Sequence, residues 1–227
     1  MVLNLIFRQP SIVKLINWNA RNFSLWLQYV GPDLSTFADA EGVSTLSGNL
    51  QNRICLDVGH GIEYMHAQRI VHLDIKPANI LLGEDGRAVL CDFGSSARRA
   101  LDPAPYTVGT PWYIPPEYLF QDLRGLPGDI WALGITMLFV HGLMPLKRGC
   151  FIIAAVPIDL DVQQQMADWL LEIQQHRDRL PRNLSCLRAM LTEEAEERIT
   201  ARQLVSDLIA SQAAPRREPV RGLLLAA

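Results

Sequence analysis

Two short segments, His72-Leu73-Asp74-Ile75-Lys76-Pro77-Ala78-Asn79 and Asp92-Phe93-Gly94, bring together two carboxylates, an amide and an ammonium group. Each segment adjoins a short apolar run of strand type, so all four groups fall on loops at strand ends. Carboxylate and amide oxygens are hard ligands that suit Mg²⁺. A lysine beside them neutralises a phosphate oxygen as a point charge. A carboxylate left free of metal orients a hydroxyl and accepts its proton. Together these are the groups that phosphoryl transfer needs, since its catalysis is mostly positioning and charge stabilisation. A solitary loop aspartate is more often a turn or cap residue. Asp74 is therefore singled out by its companions rather than by itself.

The elements that must position these groups follow from hydrophobic period. Ile12 to Asn17 and Phe23 to Val30 are short, apolar and β-branched or aromatic, which predicts two strands joined by a polar turn. Gly31-Pro32 breaks that pattern. From Leu50 to Gln68 the period changes: Ile54, Val58, Ile62 and Met65 fall on one face of a long helix. Ile70-Val71, Ile80 to Leu82 and Ala88 to Cys91 predict short strands, with a turn at Gly83 to Gly86. A loop is expected from Ser95 to Pro116. Helices are expected over Asp129 to Gly142, Val162 to Gln175, Leu184 to Leu191 and Ala201 to Ser211. The stretch from Pro215 to Ala227 has Pro, Arg and Gly without period and reads as a loosely ordered tail.

Composition narrows the class. Of the 227 residues, 49% are hydrophobic, enough for a sizeable core. The formal net charge of -3 gives no strong pull toward nucleic acid or an anionic membrane. Ile130 to Leu146 is the most apolar run, yet it is too short for a membrane span and contains His141, so a buried helix is expected. The four cysteines, Cys55, Cys91, Cys150 and Cys186, lie far apart without a C-x-x-C pair. That spacing points to reduced thiols in an intracellular protein, with cytoplasm and nucleus not distinguished. His60, His66 and His72 are six apart, a poor helical spacing for a shared metal. Arg98 and Arg99 read as a solvated loop.

The order of short motifs is specific. His72-Leu73-Asp74 stands where the protein-kinase signature has H-R-D, Asn79 follows Asp74 by five residues, and Asp92-Phe93-Gly94 supplies D-F-G. Gly109-Thr110-Pro111-Trp112-Tyr113 precedes Pro115-Pro116-Glu117, where the family has A-P-E. Asp129-Ile130-Trp131 and Arg198 also resemble family positions, so five motifs run in register from Ile70 to Leu204. The chain thus resembles a eukaryotic-type protein kinase of the serine/threonine class, covering the large lobe. The fold implied is α+β: a mainly helical large lobe at residues 32–212, a remnant of an antiparallel β small lobe at 1–31, and the tail at 213–227. An unrelated metal-dependent hydrolase would not need that register.

The resemblance implies roles position by position. Asp74 would be the catalytic base, Lys76 would meet the γ-phosphate, and Asn79 with Asp92 would hold Mg²⁺. Thr110 would fix the Asp74–Lys76 geometry, and Glu117 would pair with Arg198. Leu81 would pack under the adenine of ATP, with Leu27 at the back of the pocket and the hinge at Gln28 to Val30. Asp33 would contact ribose, Cys91 would line the pocket, and His72 would pack on Phe93. The substrate implied is a protein serine or threonine; the alternative is a non-catalytic, pseudokinase-like binding module.

Two departures carry expectations. Leu73 replaces an arginine that would meet an activation-loop phosphate, so activity is expected not to depend strongly on phosphorylation of Tyr106 or Thr107 through that contact. No G-x-G-x-x-G loop, V-A-I-K lysine or partner glutamate occurs in these residues. Met1 to Pro10 reads as the tail of the small-lobe helix. The reading is of a truncated small lobe, with little or no phosphoryl transfer by the 227 residues alone. Leu15, Leu25 and Leu27 are expected to be exposed and open to a covering partner. Lys147 to Asp161 is apolar and has no assigned role.

Overall fold

A computed structural model describes residues 9–98, 109–121, 125–147, 149 and 151–213. The expectations placed on residues 1–8, Arg99, Tyr106, Thr107, Cys150 and the tail from 214 onward lie outside the described residues.

The chain opens with an antiparallel hairpin, β1 (Leu15–Asn19) and β2 (Ser24–Leu27). The expected strand over Ile12 to Asn17 is split in two. Ile12 bridges Leu90 in parallel, with the Val13 amide donating to the Leu90 carbonyl, while the ladder with β2 starts only at Leu15. The reason is that one extended segment serves two neighbours in turn. Phe23 takes a positive φ of 53° at the turn, which shortens the second strand to Ser24–Leu27. Leu25 and Leu27 are exposed as expected, whereas Leu15 is partly covered.

Gly31 then carries the chain tightly over β4 (Ile80–Leu82). A Cβ at Gly31 would lie 2.1 Å from the Leu82 carbonyl oxygen, so no other residue fits without moving backbone. β4 pairs antiparallel with β5 (Ala88–Leu90). The long helix α1 (Asn49–Ala67) buries Ile54, Cys55, Val58, Ile62 and Met65, the face its period predicts. β3 (Ile70–Val71) follows and pairs with β6 (Ala97–Arg98), a two-residue strand inside the expected loop.

Helix α2 (Glu117–Gln121) precedes α3 (Leu126–Val140). Every residue of α3 from Asp129 to Val140 is buried, as an all-round apolar helix requires. Proline in the first turn of α3 costs no hydrogen bond there. Asp159 caps α4 (Leu160–Asp178) by accepting the Asp161 and Val162 amides. α5 (Ser185–Met190) packs on α3. α6 (Ala201–Ala213) lies along α1 and is opened by a capping box: Thr200 accepts the Gln203 amide and the Gln203 side chain accepts the Thr200 amide. The architecture is α+β, a helical body around α1 and α3 with, among the described residues, three short antiparallel pairs. Among the described residues no helix is long and apolar enough to cross a membrane.

The segment Lys147 to Asp161 acquires a physical account. Phe151, Ile153 and Val156 are buried, and Phe151 meets the Trp112 ring edge-on at 5.3 Å between centroids. Trp112 also meets Trp169 of α4 at 5.3 Å, its indole N–H donates to the Gly149 carbonyl, and the Trp169 indole N–H donates to the Trp112 carbonyl. The segment therefore backs the turn at Pro111–Tyr113 that follows Thr110.

Candidate active site

Asp129, at the start of α3, organises the loop that carries Asp74. Its two carboxylate oxygens accept the backbone amides of His72 at 2.8 Å and Leu73 at 2.9 Å. His66, from the last turn of α1, adds a ring contact at 3.0 Å. Burial pushes the Asp129 carboxyl up, but His66 and His72 outweigh it and hold it below its usual range. Leu73 needs this support, because its φ of 68° is unfavourable for a side chain with a Cβ.

The His72 ring links the loop to the strand before Asp92. Its Nε2 lies 3.1 Å from the Cys91 carbonyl oxygen, and its Nδ1 accepts the Asp74 amide at 3.4 Å. That pairing assigns a neutral ring carrying the proton on Nε2. The ring also stands 5.1 Å from Phe93, the packing role expected of it. Burial lowers the His72 pKa, which favours the same neutral form, and burial does the same to His141. The sign of the pH dependence follows. Unfolded histidines take up protons below about pH 6.5 while the buried ones stay neutral, so stability is full above that pH and falls below it. Urea unfolding at pH 7.5, 6.5 and 5.5 should show a loss of up to about 1.4 kcal/mol per pH unit for each histidine. A flat profile, or one unchanged in His72→Gln with His141→Gln, contradicts this origin.

Around Asp74 the polar groups form a closed network. Lys76 Nζ donates to Asp74 Oδ2 at 2.9 Å and to Thr110 Oγ1 at 2.7 Å. Thr110 Oγ1 donates to Asp74 Oδ1 at 2.7 Å. Asn79 Nδ2 donates to the Asp74 carbonyl at 2.8 Å and to Oδ2 at 3.0 Å. With its NH₂ so engaged, Asn79 keeps its side-chain oxygen as an acceptor. Asp92 is exposed, holds a positive φ of 58°, and accepts the Gly94 amide at 3.2 Å through one carboxylate oxygen. Among the described residues no group of three or more His, Cys, Asp or Glu is placed to hold a metal.

Beside this network lies a cleft of about 680 Å³, within the range of small-molecule sites. Leu27, Gln28, Val30, Leu81, Cys91 and Asp92 line it, together with Val13, Leu15, Leu25 and Tyr29. Leu81 faces the cleft because its neighbours Ile80 and Leu82 point to the core. Asp33 is not on this wall: it caps the turn at Leu34–Phe37, where it accepts the Ser35 amide and hydroxyl. Burial raises the Cys91 thiol to about 11, so it is neutral near pH 7 and packs rather than attacks. His66 was not among the expected site residues; its one signal is its place in the last helical turn before β3.

Leu73 is buried in a small apolar cluster with Val71 and Ala97, against which Leu126 packs. Replacing Leu73 by arginine would bury a charge among these side chains. The expected cost is about 2–4 kcal/mol in urea unfolding, and an unchanged midpoint would show that a cation is accommodated there.

The chain matches the protein kinase domain model over residues 2–208, and it belongs to the protein kinase family. It is similar to the MAP kinase kinase MKK1/SSP32 of Saccharomyces cerevisiae, 38% identical over 95 residues, or 42% of this chain and 19% of that protein. It is 35% identical over 138 residues to the serine/threonine-protein kinase RUNKEL of Arabidopsis thaliana, covering 56% of this chain and 10% of that one. The serine/threonine-protein kinase shk2 of Schizosaccharomyces pombe is 34% identical over 132 residues, covering 57% and 22%. The matches therefore span about a fifth or less of the length of these relatives.

Proposed function

We propose that this site is that of a protein serine/threonine kinase, which binds ATP with Mg²⁺ and transfers the γ-phosphate to a protein hydroxyl. The observation that carries the reading is the network joining Asp74, Lys76, Thr110 and Asn79. Asp74 would accept a hydrogen bond from the incoming hydroxyl and take its proton. Lys76, held between Asp74 and Thr110, would place its charge against the transferring group. Asn79 and Asp92 would hold Mg²⁺, which when bound neutralises charge on the phosphate oxygens. Gln28 already donates its amide to the Lys14 carbonyl, so its carbonyl and the Tyr29 and Val30 peptide groups would be the hinge groups for an adenine edge. The lysine two residues after Asp74, and relatives named as serine/threonine kinases, favour that class of acceptor. A second reading, a binding module with an unused catalytic set, draws on the exposed Trp18, Leu25, Trp26 and Leu27 of the hairpin.

The test is transfer from radiolabelled ATP with Mg²⁺ to mixed Ser, Thr and Tyr acceptor peptides, with the protein in excess so that slow transfer registers. Little label is expected from these residues alone; what appears should fall on Ser or Thr and be abolished by Asp74→Asn. Label on Tyr, or label surviving in Asp74→Asn, would overturn the assignment. Nucleotide binding without any label would favour the binding module.

A further inference from the structure

A second groove lies away from the cleft and shares no residue with it. It has a volume of about 320 Å³ and runs between α2, α4 and the loop before Arg198. Its floor is apolar, formed by Pro116, Leu119, Ala167, Leu170 and Leu171. One wall is Glu193, Glu194 and Glu196. Leu171 is 53% exposed, whereas its neighbour Leu170 turns into the core. Among the described residues no Lys, Arg or His forms an ion pair with these three carboxylates.

We propose that this groove docks a peptide segment carrying a large aliphatic side chain flanked by arginine or lysine. The floor is broad enough for one such anchor, and buried anchors dominate the energy of such contacts. The wall dictates the charge of what flanks it, since an acidic partner would be repelled and a neutral one would leave the carboxylates uncompensated. The wall is also pre-formed. Arg198 donates to the Thr192 and Glu193 carbonyls, and the Glu197 and Arg198 amides close onto the Glu194 carbonyl. A loop fixed in this way loses little freedom on binding. Pro116 and Glu117 belong both to the groove and to the stretch that follows Thr110, so an occupant would also bear on the segment that reaches Asp74.

The test uses a fluorescein-labelled peptide, Arg-Arg-Ala-Leu-Ala-Leu-Arg-Arg, titrated with the 227-residue chain and read by anisotropy. Two variants are compared, Leu171→Asp and Glu194→Lys with Glu196→Lys; all three positions are exposed, and thermal melts confirm that each variant stays folded. The expected result is binding to the unaltered chain and at least about tenfold weaker binding to each variant. Replacing the peptide leucines by serine should weaken it similarly, and raising NaCl to about 0.3 M should weaken it further. Equal binding to the variants, equal binding of a glutamate-flanked peptide, or no binding up to about millimolar protein would overturn the proposal. ATP should not displace the peptide, so the outcome is separable from the kinase assignment.

Discussion

Arg198→Ala is expected to destabilise the protein by about 3–5 kcal/mol, the cost of breaking a buried ion pair from one side. All five N–H donors of the Arg198 guanidinium have a partner. Nε reaches the Thr192 carbonyl, Nη1 reaches Glu117 and the Pro127 carbonyl, and Nη2 reaches Glu117 and the Glu193 carbonyl. The group lies 5.1 Å over the Trp131 ring and is fully buried. Alanine would strand the Glu117 carboxylate and three carbonyls in the interior together. Lysine keeps the charge but cannot meet both Glu117 oxygens in one plane, so Arg198→Lys should fall between the two. Arg198→Met with Glu117→Leu should recover only part of the loss, because the carbonyls remain unpaired. Urea unfolding followed by circular dichroism measures all three. A loss below about 1 kcal/mol for Arg198→Ala would mean that water reaches the pair.

Asp129→Ala carries the second large effect, and it is local as well as global. The carboxylate accepts the His72 and Leu73 amides on the short path to Asp74. Without it the His72 and Leu73 amides lose this acceptor, His66 loses its contact, and the hydrogen bond that supports Leu73 at its positive φ is gone. Loss of a buried acceptor shared by two amides costs about 2–5 kcal/mol. The signature that separates this from a general weakening is amide hydrogen exchange. His72 and Leu73 should lose protection in Asp129→Asn, which leaves one acceptor oxygen, before the core amides of α1 do. Uniform loss of protection across α1 and the loop together would contradict the local role.

The chemistry was legible because it is written in short, ordered motifs whose side chains meet through nearby backbone. Asp74, Lys76 and Asn79 lie within one loop, and Thr110 meets them in space. The face of α1 was legible for a different reason: nineteen residues give the 3.6 period room to show. What stayed hidden depends on tertiary neighbours. β6 is two residues long and has no period of its own; it exists because Ile70–Val71 lies opposite. Ile12 leaves the hairpin because Leu90 offers it a partner far along the chain. His66 becomes a site residue only when α3 brings Asp129 beside it.

Calorimetric titration of the 227-residue chain with ATP, with and without Mg²⁺, tests the central assignment most directly. The account predicts binding that Mg²⁺ strengthens and that Asp92→Asn weakens at least about tenfold, because one of the two proposed metal ligands would lose its charge. Asp92 is exposed, so that variant should melt as the unaltered protein does. Affinity indifferent to Mg²⁺, or unchanged in Asp92→Asn, would contradict a metal-assisted phosphoryl-transfer site.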